Sequence, residues 1–279
     1  MTVAADAQIH PLAVVEPGAT IGDGCRVGPF CTVGPEVVLG ANVELISHVS
    51  IMGATTVGEG TRIFPGAVLG ADPQNLKHRG GRSTLTVGRN CVIREGVTLH
   101  RGTDVSRGAT TIGDDCYIMA YSHVAHDCVV GNNVTMANGA TLGGHCEIGD
   151  RVTIGGLTAV HQFVRIGERA FVGGCSAVVG DVIPYAIAAG NRAKLRGFNI
   201  IGLRRAGMEK AEIHRMRAAY RAIFDPARPV AENLEAAARD HSDSPNVRAI
   251  LDFMSSRGKR HFTVPPLTDG GDDGQDEAA

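Results

Sequence analysis

The sequence predicts a three-sided parallel β-solenoid closed by a small helical domain. Three observations carry that prediction: a six-residue apolar beat, an interior nearly free of large rings, and a change of composition after Val178. Apolar residues recur at Ile9, Val15, Ile21, Val27, Val33, Leu39, Leu45, Ile51, Val57, Ile63 and Leu69, then at Val87, Ile93, Leu99 and Val105, and from Ile112 through Val178. Neither a helical period of 3.6 nor a strand period of 2 produces a six. A short strand with one inward aliphatic residue and a tight corner does. Three such strands close one coil, so residues about eighteen apart stack at strand spacing, roughly 4.8 Å. With 37 glycines, no tryptophan and 4% aromatic residues, the core is narrow and filled by Val, Ile and Leu.

The beat over residues 1–190 resembles the hexapeptide repeat, which implies an all-β left-handed parallel β-helix; the handedness comes from that resemblance alone. Two interruptions fall within it. The polar stretch after Leu69, with Gly80 and Gly81 as hinges, predicts an external loop over 71–85, and a smaller slip falls between Val105 and Ile112. Insertions in solenoids gather on the binding face. Beyond the repeats, residues 191–262 read as a C-terminal α-helical domain covering the open coil end. Glu209–Phe224 sets Ile213, Met216, Tyr220, Ile223 and Phe224 on one helical face, and Val230–His241 and Asn246–Ser256 read as two further helices. Residues 263–279 end in TDGGDDGQDEAA, whose composition predicts a disordered acidic tail.

Composition narrows the function. A formal net charge of -2 gives no global attraction to nucleic acid, and no apolar run is long enough to cross a bilayer. The N-terminus lacks a signal-peptide pattern. Seven cysteines, an odd number with no C-x-x-C pair, predict neither a disulfide framework nor a zinc ribbon and fit a reducing cytoplasm.

Four histidines, His123, His126, His145 and His161, are threaded through adjacent repeats. Eighteen residues beyond His126 stands Gly144, with His145 beside it. An imidazole next to a free glycine N–H is what acyl transfer requires, a general base and an oxyanion donor. Asp127 stands ready to fix the ring's tautomer. Zinc is the rival explanation, but the histidines occupy different repeat positions and no cysteine or carboxylate completes an obvious ligand set.

The strings LHRGT (Leu99–Thr103), HVAHDC (His123–Cys128), GGHC (Gly143–Cys146), AVHQF (Ala159–Phe163), VGGCS (Val172–Ser176) and Gly190-Asn191 resemble the UDP-N-acetylglucosamine acyltransferases of lipid A biosynthesis over nearly the whole chain. The resemblance implies transfer of a 3-hydroxyacyl chain from acyl carrier protein to the sugar 3-position, with no metal or redox cofactor. It makes His126 the base, Asp127 its orienting partner and Gly144 the oxyanion donor. It sets His123, His145, His161 and Gln162 along the sugar and acyl cleft. Lys77, Asn199 and Arg205 fall on the nucleotide sugar, and Gly174 falls where acyl length is measured, with bulky Phe171 nearby. A homotrimer is implied too, its clefts between neighbouring β-helices.

Three positions depart from the family pattern: Asn75 stands in place of an aspartate, Ile201 of a glutamate and Ala206 of an arginine. A UDP-sugar with a 3-amino group, giving an amide, therefore stays open beside the ester. From other classes, a zinc hydrolyase on the same fold and a non-catalytic scaffold also remain. Lys194, Arg196, Arg204, Arg205, Lys210, Arg215, Arg217 and Arg221 make the start of the helical domain basic, a fit for an acidic carrier protein.

Overall fold

Each repeat closes as a two-residue strand and a corner, as in Thr20–Ile21, Arg26–Val27 and Thr32–Val33. The computed structural model describes residues 2–241, 243–256 and 258–266. The strands form three faces of a prism. The first face runs from Thr2–Val3 to Arg165–Ile166, the second from Gln8–Ile9 to Phe171–Val172, and the third from Val14–Val15 to Ala177–Val178. Pairing within each of these runs is parallel, with partners such as Thr2↔Thr20 and His123↔Thr141 eighteen residues apart. Ala186–Ala189 and Lys194–Phe198 extend the second face and pair antiparallel, which ends the coil. The architecture is a left-handed parallel β-helix with a small helical cap.

From Ile21 onward every beat residue but Val105 is buried, and so is a smaller residue two positions earlier in the first of these repeats: Ala19, Cys25, Cys31, Val37, Val43, Val49. This second column accounts for six of the seven cysteines, which are buried free thiols; Cys175 is exposed. Sulfhydryls serve here as small inward side chains.

Val105 is the one beat residue the structure moves. It is 54% exposed and lies in a loop, because Val87 pairs with Ile112 and the ladder expels the surplus residues between Thr98–His100 and Ala109–Ile112. The external loop predicted over 71–85 is shorter. Val68–Ala71 and Thr84–Val87 are strands, leaving 72–83 outside. Both loops leave from one edge, where the third face turns into the first.

The cap holds α1 (Ile200–Arg205), α2 (Lys210–Ile223), α3 (Val230–Asp240) and α4 (Pro245–Ser255). Of these α1 was not evident in sequence; Asn199 caps it by accepting from Gly202 N–H at 3.0 Å. After α4 the chain returns to the prism. Thr263, placed by sequence in the tail, is buried; its N–H donates to Asp181 O at 2.8 Å and its hydroxyl to Gly180 O at 3.0 Å. Residues 267–279, the rest of the predicted tail, lie outside the described residues. No described helix is long and apolar enough to cross a membrane.

Candidate active site

His126 and Asp127 occupy the edge between the third and first faces, just after the strand His123–Val124. Asp127 lies in the left-handed backbone region at φ 60°, as do His145 at 63° and Phe163 at 66° on the next two coils. Other corners fill that slot with Asn42, Asn90 and Asn133, residues that tolerate it. Here it aims a carboxylate, an imidazole and a phenyl ring from one column.

The Asp127 side chain is fully enclosed, and its residue is 1% exposed. Its oxygens accept from Thr103 N–H at 3.0 Å, Thr103 Oγ1 at 2.7 Å, Gly108 N–H at 3.1 Å and His126 Nδ1 at 2.9 Å. Burial works against the charge, but the Thr103 hydroxyl and amide and the His126 ring outweigh it and hold the carboxyl below the usual carboxylate range. The second loop, 101–108, therefore exists partly to seat this aspartate.

The other ring nitrogen of His126, Nε2, stands 3.3 Å from Asn75 Nδ2. Asn75 Oδ1 accepts from Lys77 N–H at 2.9 Å, which fixes the amide with its donor toward the imidazole. With Asp127 accepting at Nδ1 and Asn75 donating at Nε2, the neutral ring carries its proton on Nδ1 and leaves Nε2 unprotonated, an acceptor held by the Asn75 amide. The two loops are tied together at Asp104, which accepts from Gly81 N–H at 2.9 Å and Arg79 N–H at 3.1 Å and meets His78 Nδ1 at 2.9 Å.

Gly144 faces the same imidazole. A Cβ built on it would stand 2.6 Å from His126 Cε1 and 2.8 Å from Nε2. Among the described residues its N–H meets no acceptor, while its carbonyl accepts from Phe163 N–H at 3.0 Å. An N–H without an acceptor and the His126 imidazole thus lie side by side.

His145 stacks on Phe163 with centroids 4.3 Å apart and stands edge-on to His126 at 5.0 Å. Burial lowers its pKa, against the pull of Asp127. His123 Nδ1 lies 2.7 Å from Thr98 Oγ1, and its ring meets His100 edge-on at 4.9 Å. Burial, with His100 and His126 nearby, lowers His123 to about 4. His161 and Gln162 are exposed on the coil above, held by Arg260. A cleft of about 580 Å³ opens beside Asp127, His145 and Phe163, bordered by Ser106, Arg107 and Lys259.

Ligand atoms of His126, Asp127 and His145 lie within 4.8 Å of one another, as a metal trio would. The lone pairs of Asp127 are already taken by Thr103, Gly108 and His126, so the cluster is built as a hydrogen-bond relay and fits a metal poorly.

Not every expected residue gathers here. Lys77 is exposed on the first loop. Gly174 sits on a different edge, between the second and third faces, and Phe171 points outward from the second. Asn199 caps α1, Arg205 ends it, and neither borders the cleft. Thr103, Gly108, Lys259 and Arg260 were not read as site residues. Thr103 alone had a signal, its place in LHRGT.

A sequence model described as "Udp N-acetylglucosamine O-acyltransferase; Domain 2" matches residues 181–263, and one of bacterial transferase hexapeptide repeats matches 1–35 and 109–144. The acyl-[acyl-carrier-protein]–UDP-N-acetylglucosamine O-acyltransferase of Mesorhizobium japonicum is 63% identical over 99% of this chain and 100% of its own. That of Bartonella bacilliformis is 52% identical over 92% of this chain and 94% of its own. Among solved structures, the UDP-N-acetylglucosamine acyltransferase of Campylobacter jejuni is 38% identical, with TM-score 0.86 over 92% of this chain and 99% of its own. The Francisella novicida enzyme is 33% identical, with TM-score 0.88 over 93% and 95%. With a relative this similar end to end, and the cap and the repeats each matched, the chain belongs to the acyl-[acyl-carrier-protein]–UDP-N-acetylglucosamine O-acyltransferase family.

Proposed function

We propose that this protein transfers a 3-hydroxyacyl chain from acyl carrier protein to the 3-hydroxyl of UDP-N-acetylglucosamine, the first step of lipid A biosynthesis. One observation carries the mechanism: the His126 imidazole, with Asp127 at Nδ1, packs against Gly144, whose N–H has no acceptor among the described residues. The thioester carbonyl oxygen rests on Gly144 N–H. The sugar hydroxyl attacks the carbonyl carbon as His126 Nε2 takes its proton, with Asp127 holding the resulting imidazolium. Collapse breaks the carbon–sulfur bond, and His126 returns the proton to the departing thiolate.

A homotrimer completes the site. Residues that the family resemblance puts in one cleft fall, within one chain, on the His126 edge, on the Gly174 edge and in the cap. Copies packed side by side bring those surfaces together. Basic Arg204, Arg205 and Lys210 then line the approach of an acidic carrier. Six buried free thiols fit a reducing cytoplasm.

A second reading, transfer to the 3-amino group of a UDP-diamino sugar, is favoured by Asn75. Its amide already donates to the nitrogen an alcohol needs, whereas a neutral amine attacks before it loses a proton.

The test is acyl transfer from 3-hydroxyacyl carrier protein, offered both acceptors, with wild type and His126→Ala. Turnover lost about 10²–10⁴-fold in a variant that stays folded and trimeric is expected. No turnover with either sugar would refute the proposal.

A further inference from the structure

We infer that Arg260 is a positioning residue for the acyl-transfer site, acting through His161, and that the segment from Gly258 to Val264 is the strap that delivers it. The inference rests on the function proposed above. His161 is exposed at the tip of a corner, one coil above Gly143, and within the repeats its ring nitrogens meet one described group, Gln162 O, 3.1 Å from Nδ1. Arg260 Nη2 stands 2.7 Å from His161 Nδ1, and Arg260 Nε donates to Gln162 O at 2.9 Å. A guanidinium carries donors only. Gln162 O would draw a proton to Nδ1, but that carbonyl already accepts from Arg260 Nε. The nearer, charged Arg260 Nη2 makes Nδ1 the acceptor, so the neutral ring holds its proton on Nε2, which has no partner among the described residues.

The result is a hydrogen-bond donor, set beside the Gly144 corner, with its tautomer chosen by a residue about a hundred positions away in sequence. It is opposite to His126, whose proton sits on Nδ1. One imidazole is prepared to take a proton, the other to donate a hydrogen bond to substrate. The next strap residue reinforces the arrangement: Lys259 Nζ lies 4.2 Å from the Phe163 ring centre, and Phe163 stacks on His145.

The strap is firmly anchored. Arg165 Nε donates to Asp181 Oδ2 at 2.7 Å and Nη2 to Phe253 O at 3.2 Å, and Asp181 N–H donates to His261 O at 2.8 Å. Such a fork holds a planar side chain in one orientation.

The experiment follows the His161 ring nitrogens by NMR in ¹⁵N-histidine-labelled protein, assigned by their loss in His161→Ala. It is paired with kinetics of Arg260→Ala, Arg260→Met, His161→Ala and the double variant. Wild type should show the Nε2–H tautomer. Both Arg260 variants should show mixed tautomers and a kcat/KM lowered about tenfold, the scale of one charge-assisted bond. The double variant should be no worse than His161→Ala alone. Arg260→Met keeps the stem, so a loss there at a wild-type thermal midpoint excludes mere loosening of the strap. An unchanged tautomer in both variants, or losses that multiply in the double variant, would overturn the inference. The NMR arm needs no substrate, so it stands apart from failure of the acyl-transfer reading.

Discussion

The Asn75 side-chain amide faces His126 Nε2 at 3.3 Å because Lys77 N–H holds its oxygen turned away. Asn75→Asp keeps the bond to Lys77 and turns the second oxygen to the imidazole, which can answer only by taking a proton. The variant therefore favours the charged ring, and the acid limb of its kcat/KM profile should move up by about one unit. Coincident profiles for variant and wild type would mean that the two side chains do not meet in solution.

Gly144 tolerates no side chain without moving the base. Its backbone is not left-handed, so alanine fits the corner, but the new methyl carbon would stand 2.6 Å from the His126 ring. Gly144→Ala should lose at least tenfold in kcat, since misplacing a reacting group by about 1 Å costs that and more. Its thermal midpoint should stay near wild type. Full activity would remove this contact from the mechanism.

One buried and two half-buried histidines make the fold acid-sensitive. His123 is lowered to about 4, and burial lowers His100 and His145 as well. The unfolded chain takes up protons below about 6.5 that the native state refuses, so stability falls as pH drops from there toward 4. Urea midpoints measured across that window should decline, and His123→Gln should flatten the slope. A midpoint indifferent to pH would contradict the burial of these rings.

The repeats and the meeting of His126, Asp127 and Gly144 were legible because the solenoid converts sequence spacing into spatial stacking at a fixed eighteen. What escaped has no period. Thr103 and Gly108 reach Asp127 from an expelled loop, and Arg260 reaches His161 from beyond the last helix. Val105 misled because an apolar loop residue fell on the beat by chance, six after Leu99. The cysteines were read for their chemistry, whereas the structure uses them for their size.

Arg165 and Asp181 form a buried pair whose side chains are 12% and 0% exposed. Arg165→Ala leaves the buried carboxylate without its cation, with only the residue 165 N–H still donating to Oδ1, and should destabilise by about 3–5 kcal/mol in urea unfolding. A loss below about 1 kcal/mol, the range of a surface pair, would show that the pair is solvated.

Loops 72–83 and 101–108 and the strap from Gly258 all cover one edge, yet the strand ladder closes beneath each loop with a single shift of register, at Gly70. What stands over the His126 corner is thus decoupled from the lattice that shapes it. Lengthening, exchanging or trimming a cover would retune reach and selectivity while leaving the spacing between His126 and Gly144 untouched. The prism behaves as a socket, and new specificities can be fitted to it one cover at a time.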